Sequence, residues 1–267
     1  MQDKIKNLGE RTFPSPLHAV NWGGKSPYVN DETRMLYNVY TDYAPVEGKE
    51  LTFELAGPRE QLYFDPAKTR SAIVTCGGVC PGLNDVIRSI VMVSHYYYGA
   101  SSIFGIRYGY GGLNPSSSHK PIELHPELVE DIHKDGGTML GSSRGGTEDM
   151  NVLVDTLEKM KINILYTIGG DGTLRGAHKI AEICGKRGLN IAVIGIPKTI
   201  DNDISYIQRS FGFETAFSIA GQAIMAAHVE AKGAPNGIGL VKLMGRHSGF
   251  IAANAALAMN DVNFVMV

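Results

Sequence analysis

The chain has 267 residues, a formal net charge of −2, 43% hydrophobic residues and 19% charged residues. This composition is typical of one large or two smaller globular domains, and the absence of a basic block argues against a dedicated nucleic-acid surface. No apolar segment is long enough to span a bilayer, and the first residues lack the apolar core of a signal peptide. The three cysteines have no disulfide or zinc-site spacing, so we predict free thiols and a cytoplasmic location.

Residues 1–70 contain many turn-forming residues and little helical periodicity. Two runs of strand-forming residues, Glu50–Leu55 and Gln61–Phe64, flank Gly57-Pro58 and predict a β-hairpin. We interpret this region as an N-terminal extension that packs on the core or at a subunit contact.

From Ser71 onward, short apolar runs alternate with segments of helical periodicity, and glycine clusters follow the apolar runs. The predicted strands cover residues 72–76, 102–106, 162–168, 191–196, 238–243 and 263–267. The predicted helices start near Leu83, Pro126, Thr147 (as N-cap), Leu174, Phe213 and Gly249. Strand–turn–helix units of this kind predict an α/β fold with a parallel sheet whose strand ends carry a ligand site. The series of glycine loops ends near Gly212, where we place a domain boundary, and the final apolar strand leads us to expect that the protein continues beyond Val267.

The segment Gly169-Gly170-Asp171-Gly172 stands between the strand 162–168 and a helix. Glycines let a bulky anion approach the backbone, and the helix N-terminus offers free N–H groups and the positive end of a dipole. A carboxylate that faces a phosphate is repulsive unless a metal lies between them, so Asp171 predicts Mg²⁺. The alternative is a plain glycine turn in which Asp171 caps the helix.

The segment 197–203 follows the next predicted strand and carries Thr199, Asp201 and Asp203 at alternate positions, with Lys198 beside them. Alternate residues of an extended loop share a face, so these side chains can point into one cleft. A base, a metal-organising carboxylate and phosphate donors are what phosphoryl transfer to an alcohol requires. The alternative is a turn in which Asx side chains cap their own backbone.

Two further loops carry arginines. Arg144 lies in a glycine-rich loop and can bind phosphate oxygens through its planar fork, and Arg246 stands at another strand-to-helix turn. Residues 141–145 also match G-x-S-x-G, with Asp201 and His247 following in the order of a serine hydrolase. A further glycine and a capping threonine follow where the elbow helix should begin, so we reject a hydrolase. A surface ion pair for Arg144 and a packing role for His247 are the simpler alternatives.

Taken together, five segments resemble the 6-phosphofructokinase family in unbroken order, most closely the long plant and protist-type ATP-dependent enzymes. They are Gly77–Asn84, Gly141–Gly146, Gly169–Thr173, Pro197–Asp203 and Met244–Gly249. NAD and lipid kinases also carry Gly-Gly-Asp-Gly-Thr, but the fourth and fifth segments are not expected in those enzymes.

The resemblance implies a phosphofructokinase-like fold with a three-layer nucleotide- and phosphate-binding domain at 71–212. An incomplete second α/β domain, which binds the sugar phosphate, begins at 213–267. It implies that Asp201 is the general base, that Asp171 and Asp203 organise Mg²⁺, and that Thr199 and Arg144 stabilise the transferring group. The implied donor-side residues are Gly78, Gly170, Asp171, Gly172, Thr173, Gly176 and Lys198. The implied sugar-phosphate residues are Met244, Gly245 and Arg246, with Thr199 and Asp201.

The phosphoryl donor depends on two positions. Pyrophosphate-dependent members resemble Gly-Gly-Asp-Asp, whereas this chain has Gly172, which leaves room for a nucleotide α-phosphate. Lys198 resembles the pyrophosphate-type loop, yet mixed members with both features resemble ATP-dependent enzymes. We therefore expect MgATP and fructose 6-phosphate as substrates and an allosteric homo-oligomer, a dimer or tetramer. The alternatives are a pyrophosphate-dependent enzyme and an inactive regulatory relative.

Overall fold

The structure is a computed structural model that describes residues 7–37, 52–145 and 149–267. The strands are β1 (Phe13–Pro14), β2 (Arg34–Leu36), β3 (Thr52–Glu54), β4 (Gln61–Leu62), β5 (Arg70–Thr75), β6 (Ser102–Ile106), β7 (Ile122–Glu123), β8 (Ile164–Gly169) and β9 (Ala192–Pro197). The α-helices are α1 (Leu83–Tyr96), α2 (Pro126–Val129), α3 (Met150–Lys159), α4 (Asp171–Lys186), α5 (Phe213–Gly233) and α6 (Phe250–Ala258). None of the helices in these three ranges is long and apolar enough to cross a membrane.

The central element is a five-stranded sheet in the order β7-β6-β5-β8-β9. Strands β5, β6, β8 and β9 run parallel, and the short edge strand β7 is antiparallel to β6. The chain moves from β5 outward to β6 and then returns to β8 on the other side of β5. The strand order therefore reverses between β5 and β8, and open α/β sheets bind their ligands at the carboxyl ends of the strands at such a switch point.

Helices cover both faces of the sheet, which gives three layers. Successive residues of β5 point to opposite faces, as the period of a strand requires. Ala72 and Val74 pack with buried residues of α3 and α4, whereas Ile73 packs with buried residues of α1 and α2. A strand that is buried on both faces reads as a continuous apolar run, which is why the sequence predicted β5 correctly.

The predicted helices are present, with three differences in detail. Helix α3 is capped by Asp149, whose carboxylate accepts the N–H of Asn151 at 2.9 Å, whereas the predicted cap Thr147 lies outside the described residues. The buried face of α4 includes Ala177, Ile180 and Cys184, and Ala181 is exposed although its spacing placed it on that face. The predicted helix at Pro126 is only four residues long.

The predicted hairpin between Glu50–Leu55 and Gln61–Phe64 is wrong. Strand β3 pairs with β2, and β4 pairs with β1, both in antiparallel register. Each strand finds its partner earlier in the chain, so two separate two-stranded ribbons replace one local hairpin. Residues 50 and 51 lie outside the described part of the chain.

Two other predicted strands, 238–243 and 263–267, are also wrong. Both segments are irregular, and Ile238 and Val267 are about nine-tenths exposed. A strand requires a neighbour for its backbone N–H and C=O groups, and the described sheet ends at β9. Within residues 213–267 the structure thus contains α5 and α6 but no strand, and the domain boundary near Gly212 stays a prediction.

Candidate functional site

The carboxyl ends of β5, β8 and β9 lie side by side and carry the segments that the sequence singled out. Thr75 at the end of β5 is the register partner of Ile168, and Gly169 at the end of β8 is the partner of Pro197. The loop that begins at Gly77, the start of α4 and the loop that begins at Lys198 therefore leave the sheet at one edge. This edge includes the switch point between β5 and β8.

The first turn of α4 is open to solvent and has no side-chain cap. Gly170 is the N-cap residue and makes no side-chain capping bond, and Asp171 is the first helical residue. The alternative in which Asp171 caps the helix is therefore wrong, and Asp171 instead pairs with Arg175 on the next turn at 2.5 Å. A methyl group placed on Gly172 would meet nothing within 4 Å. The free N–H groups of this turn can thus receive an anion.

Tyr110, which was not among the predicted site residues, packs against the first turns of α4. The Tyr110 hydroxyl donates to the carbonyl of the buried residue Thr173 at 2.8 Å. The ring also lies against Gly176, where a methyl group would come within 2.8 Å of Tyr110 Cε2. Gly176 is therefore needed for close packing of α4, and Thr173 is a buried support of the turn. The segment Gly109–Leu113, rich in glycine around an aromatic residue, was the available signal.

Lys198 joins two of the loops. Its side chain is almost completely buried, and its ammonium group donates to the carbonyl oxygen of Gly78 at 2.5 Å. Its own N–H donates to Gly169 at 2.9 Å, so it remains tied to the end of β8. Burial lowers the pKa of Lys198 below its usual value of 10.5. This side chain places a cation beneath the glycine loop that follows β5.

The loop that contains Arg144 packs against the same glycines. Gly77 donates its N–H to the Ser143 carbonyl at 2.9 Å, and Ser142 donates its hydroxyl to the Gly77 carbonyl at 2.6 Å. A methyl group on Gly78 would lie 3.6 Å from Arg144 Nη2, so the guanidinium group is beside this glycine. The Ser143 hydroxyl donates to the Tyr108 carbonyl at 2.7 Å. This hydrogen bond connects two loops, and its acceptor is a backbone carbonyl and not a general base, so it gives no support to Ser143 as a nucleophile.

The segment after Lys198 forms a tight turn. The Thr199 hydroxyl accepts the N–H of Asp201 at 3.0 Å and donates to Asp203 Oδ1 at 3.1 Å. The expected meeting of Thr199 with Asp203 is therefore present, and Asp201 joins it through its backbone. The capping role belongs to Asn202, whose side chain accepts the Ser210 N–H and donates to the Gln208 carbonyl, each at 2.9 Å. Sequence reasoning missed Asn202 because two carboxylates flank it.

The fifth segment reaches this turn through one hydrogen bond. The Ser248 hydroxyl donates to the Asp201 carbonyl at 2.7 Å. Met244 and Arg246, earlier in the same loop, are exposed, and Gly245 adopts a positive φ of 132°. A side chain on Gly245 would meet the Ser248 carbonyl at 2.5 Å. The Met-Gly-Arg loop thus lies next to the Thr199–Asp203 turn, which we call the acidic turn. The side chains of Met244 and Arg246 are open to solvent.

The donor groups of this edge fit a metal that is bound mainly through phosphates. Within the ranges that the structure describes, no three His, Cys, Asp or Glu side chains form a group that could hold a metal ion. Mg²⁺ at phosphate sites needs only one or two protein carboxylates and keeps several waters. The exposed carboxylates of Asp171 and Asp203 match that requirement.

An apolar cavity of about 520 Å³ lies elsewhere, near the opposite ends of the strands. Its lining includes Ser71 and Ile164, which stand at the beginnings of β5 and β8, and Tyr98 after α1. It contains none of the predicted site residues. Phosphate groups are held in open, polar loops, so the sheet edge remains the better candidate site.

The sheet edge combines glycine loops, an uncapped helix N-terminus, buried and exposed cations and an acidic turn at a switch point of an open α/β sheet. These features are typical of the class of proteins that bind phosphate esters for group transfer.

Comparison with known proteins agrees with that class. The family model described as phosphofructokinase matches residues 70–267. The chain is 52% identical over 268 residues to the ATP-dependent 6-phosphofructokinase of Borreliella burgdorferi, covering 99% of the chain and 59% of that protein. It is 48% identical over 268 residues to the enzyme of the same name from Trypanosoma cruzi, with 99% and 55% coverage. It is 53% identical over 215 residues to ATP-dependent 6-phosphofructokinase 7 of Arabidopsis thaliana, with 80% and 44% coverage.

Solved structures give the same fold. Phosphofructokinase from Saccharomyces cerevisiae aligns with a TM-score of 0.62 and 25% identity over 72% of the chain and 28% of that protein. A pyrophosphate-dependent phosphofructokinase from Marinobacter aquaeolei aligns with a TM-score of 0.60 and 22% identity, over 72% and 50%. The chain belongs to the phosphofructokinase family. It spans between 44% and 59% of the length of the three curated relatives above.

The two cysteines beside the glycine loop are free and buried, as predicted. Burial raises the pKa of the Cys76 and Cys80 thiols from 9.0 to about 11. At pH 8 the thiolate fraction should therefore be about 100-fold lower than that of an ordinary cysteine, because one pKa unit is a factor of ten.

We expect alkylation of Cys76 and Cys80 by iodoacetamide to be slow at pH 8 and to accelerate about tenfold per pH unit until about pH 11. Mass spectrometry of the labelled peptides measures the rates, and the urea-unfolded chain is the control. A rate that levels off near pH 9 in the folded chain would show that burial does not control these thiols.

Proposed function

We propose that this protein transfers a phosphoryl group from MgATP to the 1-hydroxyl of fructose 6-phosphate, giving fructose 1,6-bisphosphate. The observation that carries the proposal is the convergence of the Gly78 loop, the first turn of α4 and the Thr199–Asp203 turn at one sheet edge. The first turn of α4 is suited to bind the phosphates of the nucleotide, and the acidic turn is suited to bind the sugar hydroxyl that is phosphorylated. The names of the curated relatives support the same reaction.

In the proposed reaction Asp201 takes the proton from the attacking 1-hydroxyl. Its backbone is fixed on one side by Thr199 and on the other by Ser248, at 3.0 and 2.7 Å, so the carboxylate is presented from a braced turn. Bracing matters because a general base must lie within about 3 Å of its proton. Met244, Gly245 and Arg246 would bind the sugar phosphate from the adjoining loop.

The transferring group needs hydrogen-bond donors where its negative charge is held. Arg144 offers a guanidinium beside Gly78, and the first turn of α4 offers free N–H groups. The Thr199 hydroxyl, which donates to Asp203 in this structure, would donate to the transferring group instead. Asp171 and Asp203 would hold Mg²⁺, which when bound would neutralise phosphate charge. Gly170 and Thr173 belong to the same phosphate-binding turn.

The donor is proposed to be ATP because the space around Gly172 is open. Lys198 favours the alternative donor, pyrophosphate. Its ammonium group, however, already donates to the Gly78 carbonyl, so its role here is to hold the loop that follows β5. An inactive phosphate-ester-binding relative is the third candidate. We also propose a cytoplasmic homo-oligomer with allosteric regulation, as the family resemblance implies.

The reaction is tested by measuring turnover of fructose 6-phosphate by the full-length protein with ATP and pyrophosphate in parallel. The proposal requires turnover with ATP at the higher kcat/KM. Turnover with pyrophosphate alone would identify the second candidate, and binding of both substrates without turnover with either would identify the third.

Asp201→Asn should lower kcat by about 10²- to 10⁴-fold, the range that general acid–base catalysis contributes. KM for fructose 6-phosphate should change little, because the amide keeps the shape of the side chain and both backbone hydrogen bonds. Asp155→Asn, at an exposed ion pair with Arg187, is the matched control and should leave kcat unchanged. A variant at Asp201 with full activity would show that the base lies elsewhere.

Gly172→Asp should lower kcat/KM for ATP by roughly 100-fold, because an added carboxylate would occupy the open space and repel phosphate. The same change at Gly185, in an exposed position near the other end of α4, should have little effect on ATP kinetics. Steady-state kinetics with varied ATP, together with thermal melting of both variants, makes the comparison. Unchanged ATP kinetics in a folded Gly172→Asp protein would remove this residue from the donor side.

A further inference from the structure

Three aromatic rings meet beside the acidic turn, and we call Tyr37, Phe53 and Tyr206 the aromatic clamp. The ring centroids are 6.0 Å apart for Tyr37 and Phe53, 5.5 Å for Tyr37 and Tyr206, and 5.9 Å for Phe53 and Tyr206. Interplanar angles of 78°, 76° and 64° make each pair edge-to-face. This is the favoured geometry for aromatic pairs, so each ring contributes two attractive contacts.

The clamp connects two regions that are far apart in the chain. Phe53 lies in β3 and Tyr37 follows β2, so both rings belong to the small antiparallel ribbon of the N-terminal extension. Met35 and Phe53 are register partners and Tyr37 is two residues beyond Met35, which places all three on one face of the ribbon. A ribbon of two strands is at best marginally stable by itself. Its contacts with Tyr206 are therefore part of what holds it.

Tyr206 is an unusual residue at its position. It has a φ of +66°, a left-handed conformation that is costly for a bulky side chain. Its side chain is also largely exposed, at 60%. The Ile207 N–H donates to the Ile204 carbonyl at 3.2 Å and closes a turn around Tyr206, so the backbone is held locally. The described ring contacts of the side chain come from the ribbon.

A displacement of Tyr206 would be transmitted to the acidic turn, because hydrogen bonds join residues on both sides of Tyr206 to that turn. Asn202 binds both Gln208 and Ser210, and the Ser210 hydroxyl donates to the Thr199 carbonyl. Tyr206 stands between these anchors, at the tip of a loop whose base is the Thr199–Asp203 turn. A displaced tip would thus strain or loosen the hydrogen bonds that orient Asp201.

We infer that the aromatic clamp positions the acidic turn for phosphoryl transfer, with Tyr206 as a positioning residue and the N-terminal ribbon as its holder. This inference rests on the proposed function for its kinetic effect. It gives Tyr37 and the strands β2 and β3 a role in turnover that goes beyond packing.

The test compares variants on the two faces of the ribbon in the full-length protein. Phe53→Leu and Tyr206→Ala break the clamp, Tyr206→Phe keeps the ring, and Leu36→Ala alters the opposite face of β2 as a matched control. Steady-state kinetics gives kcat and the KM for ATP, and hydrogen exchange measures the backbone amides of residues 200–209. The double variant Phe53→Leu/Tyr206→Ala tests whether the two rings act together.

We expect Phe53→Leu and Tyr206→Ala each to lower kcat about tenfold, the loss that weakened edge-to-face contacts would cause. The KM for ATP should stay within about twofold, exchange at 200–209 should accelerate about tenfold, and the double variant should be no worse than Tyr206→Ala. Tyr206→Phe and Leu36→Ala should match the unmodified protein.

Unchanged kcat in the clamp variants, additive losses in the double variant, or equal losses in Leu36→Ala would each overturn the inference. If the unmodified protein does not phosphorylate fructose 6-phosphate, the proposed function fails by itself. The exchange measurement then still decides the clamp, because unchanged exchange at 200–209 in Phe53→Leu would show that the ribbon does not hold the loop.

Discussion

The hydrogen bond from the buried Lys198 ammonium to the Gly78 carbonyl is the interaction on which the site depends most. Burying an amine lowers its pKa and is costly unless the group is paired, so the loop after β5 must supply that carbonyl oxygen. The same residue is fixed to Gly169 through its backbone. The loops that follow β5 and β9 are thereby held beside the end of β8 before any ligand arrives, which lowers the entropy cost of assembling an anion site.

The sheet explains why these loops meet, and the helices explain what they can bind. Parallel strands direct all their carboxyl ends to one edge, and the reversal of strand order between β5 and β8 sends α1 and α4 to opposite faces. The first turn of α4 follows β8 and the acidic turn follows β9, so both lie at this edge of the sheet.

The part of the fold that follows local patterns could be predicted from the sequence. Buried strands such as β5 and β8 are continuous apolar runs, and the loop residues Gly172, Thr199 and Asp203 stand next to them in the chain. Pairing across long separations could not be predicted, because β3 has a choice of partners that only tertiary packing decides. Tyr110, Asn202 and Tyr206 were missed for a related reason. Tyr110 binds one carbonyl, Asn202 closes one turn and Tyr206 contacts rings from another part of the chain. The spacing of apolar residues in the sequence carries no signal for such contacts.

We propose that one edge of the sheet binds both the phosphoryl donor and the acceptor sugar. A crystal structure of the full-length protein with Mg²⁺, a non-hydrolysable ATP analogue and fructose 6-phosphate tests it most directly. We expect the terminal phosphate to lie within hydrogen-bond distance of the Gly78 loop and the first turn of α4. The sugar 1-hydroxyl should lie about 3 Å from the Asp201 carboxylate. A sugar phosphate bound away from the Thr199–Asp203 turn, or a nucleotide bound away from Gly172, would contradict it.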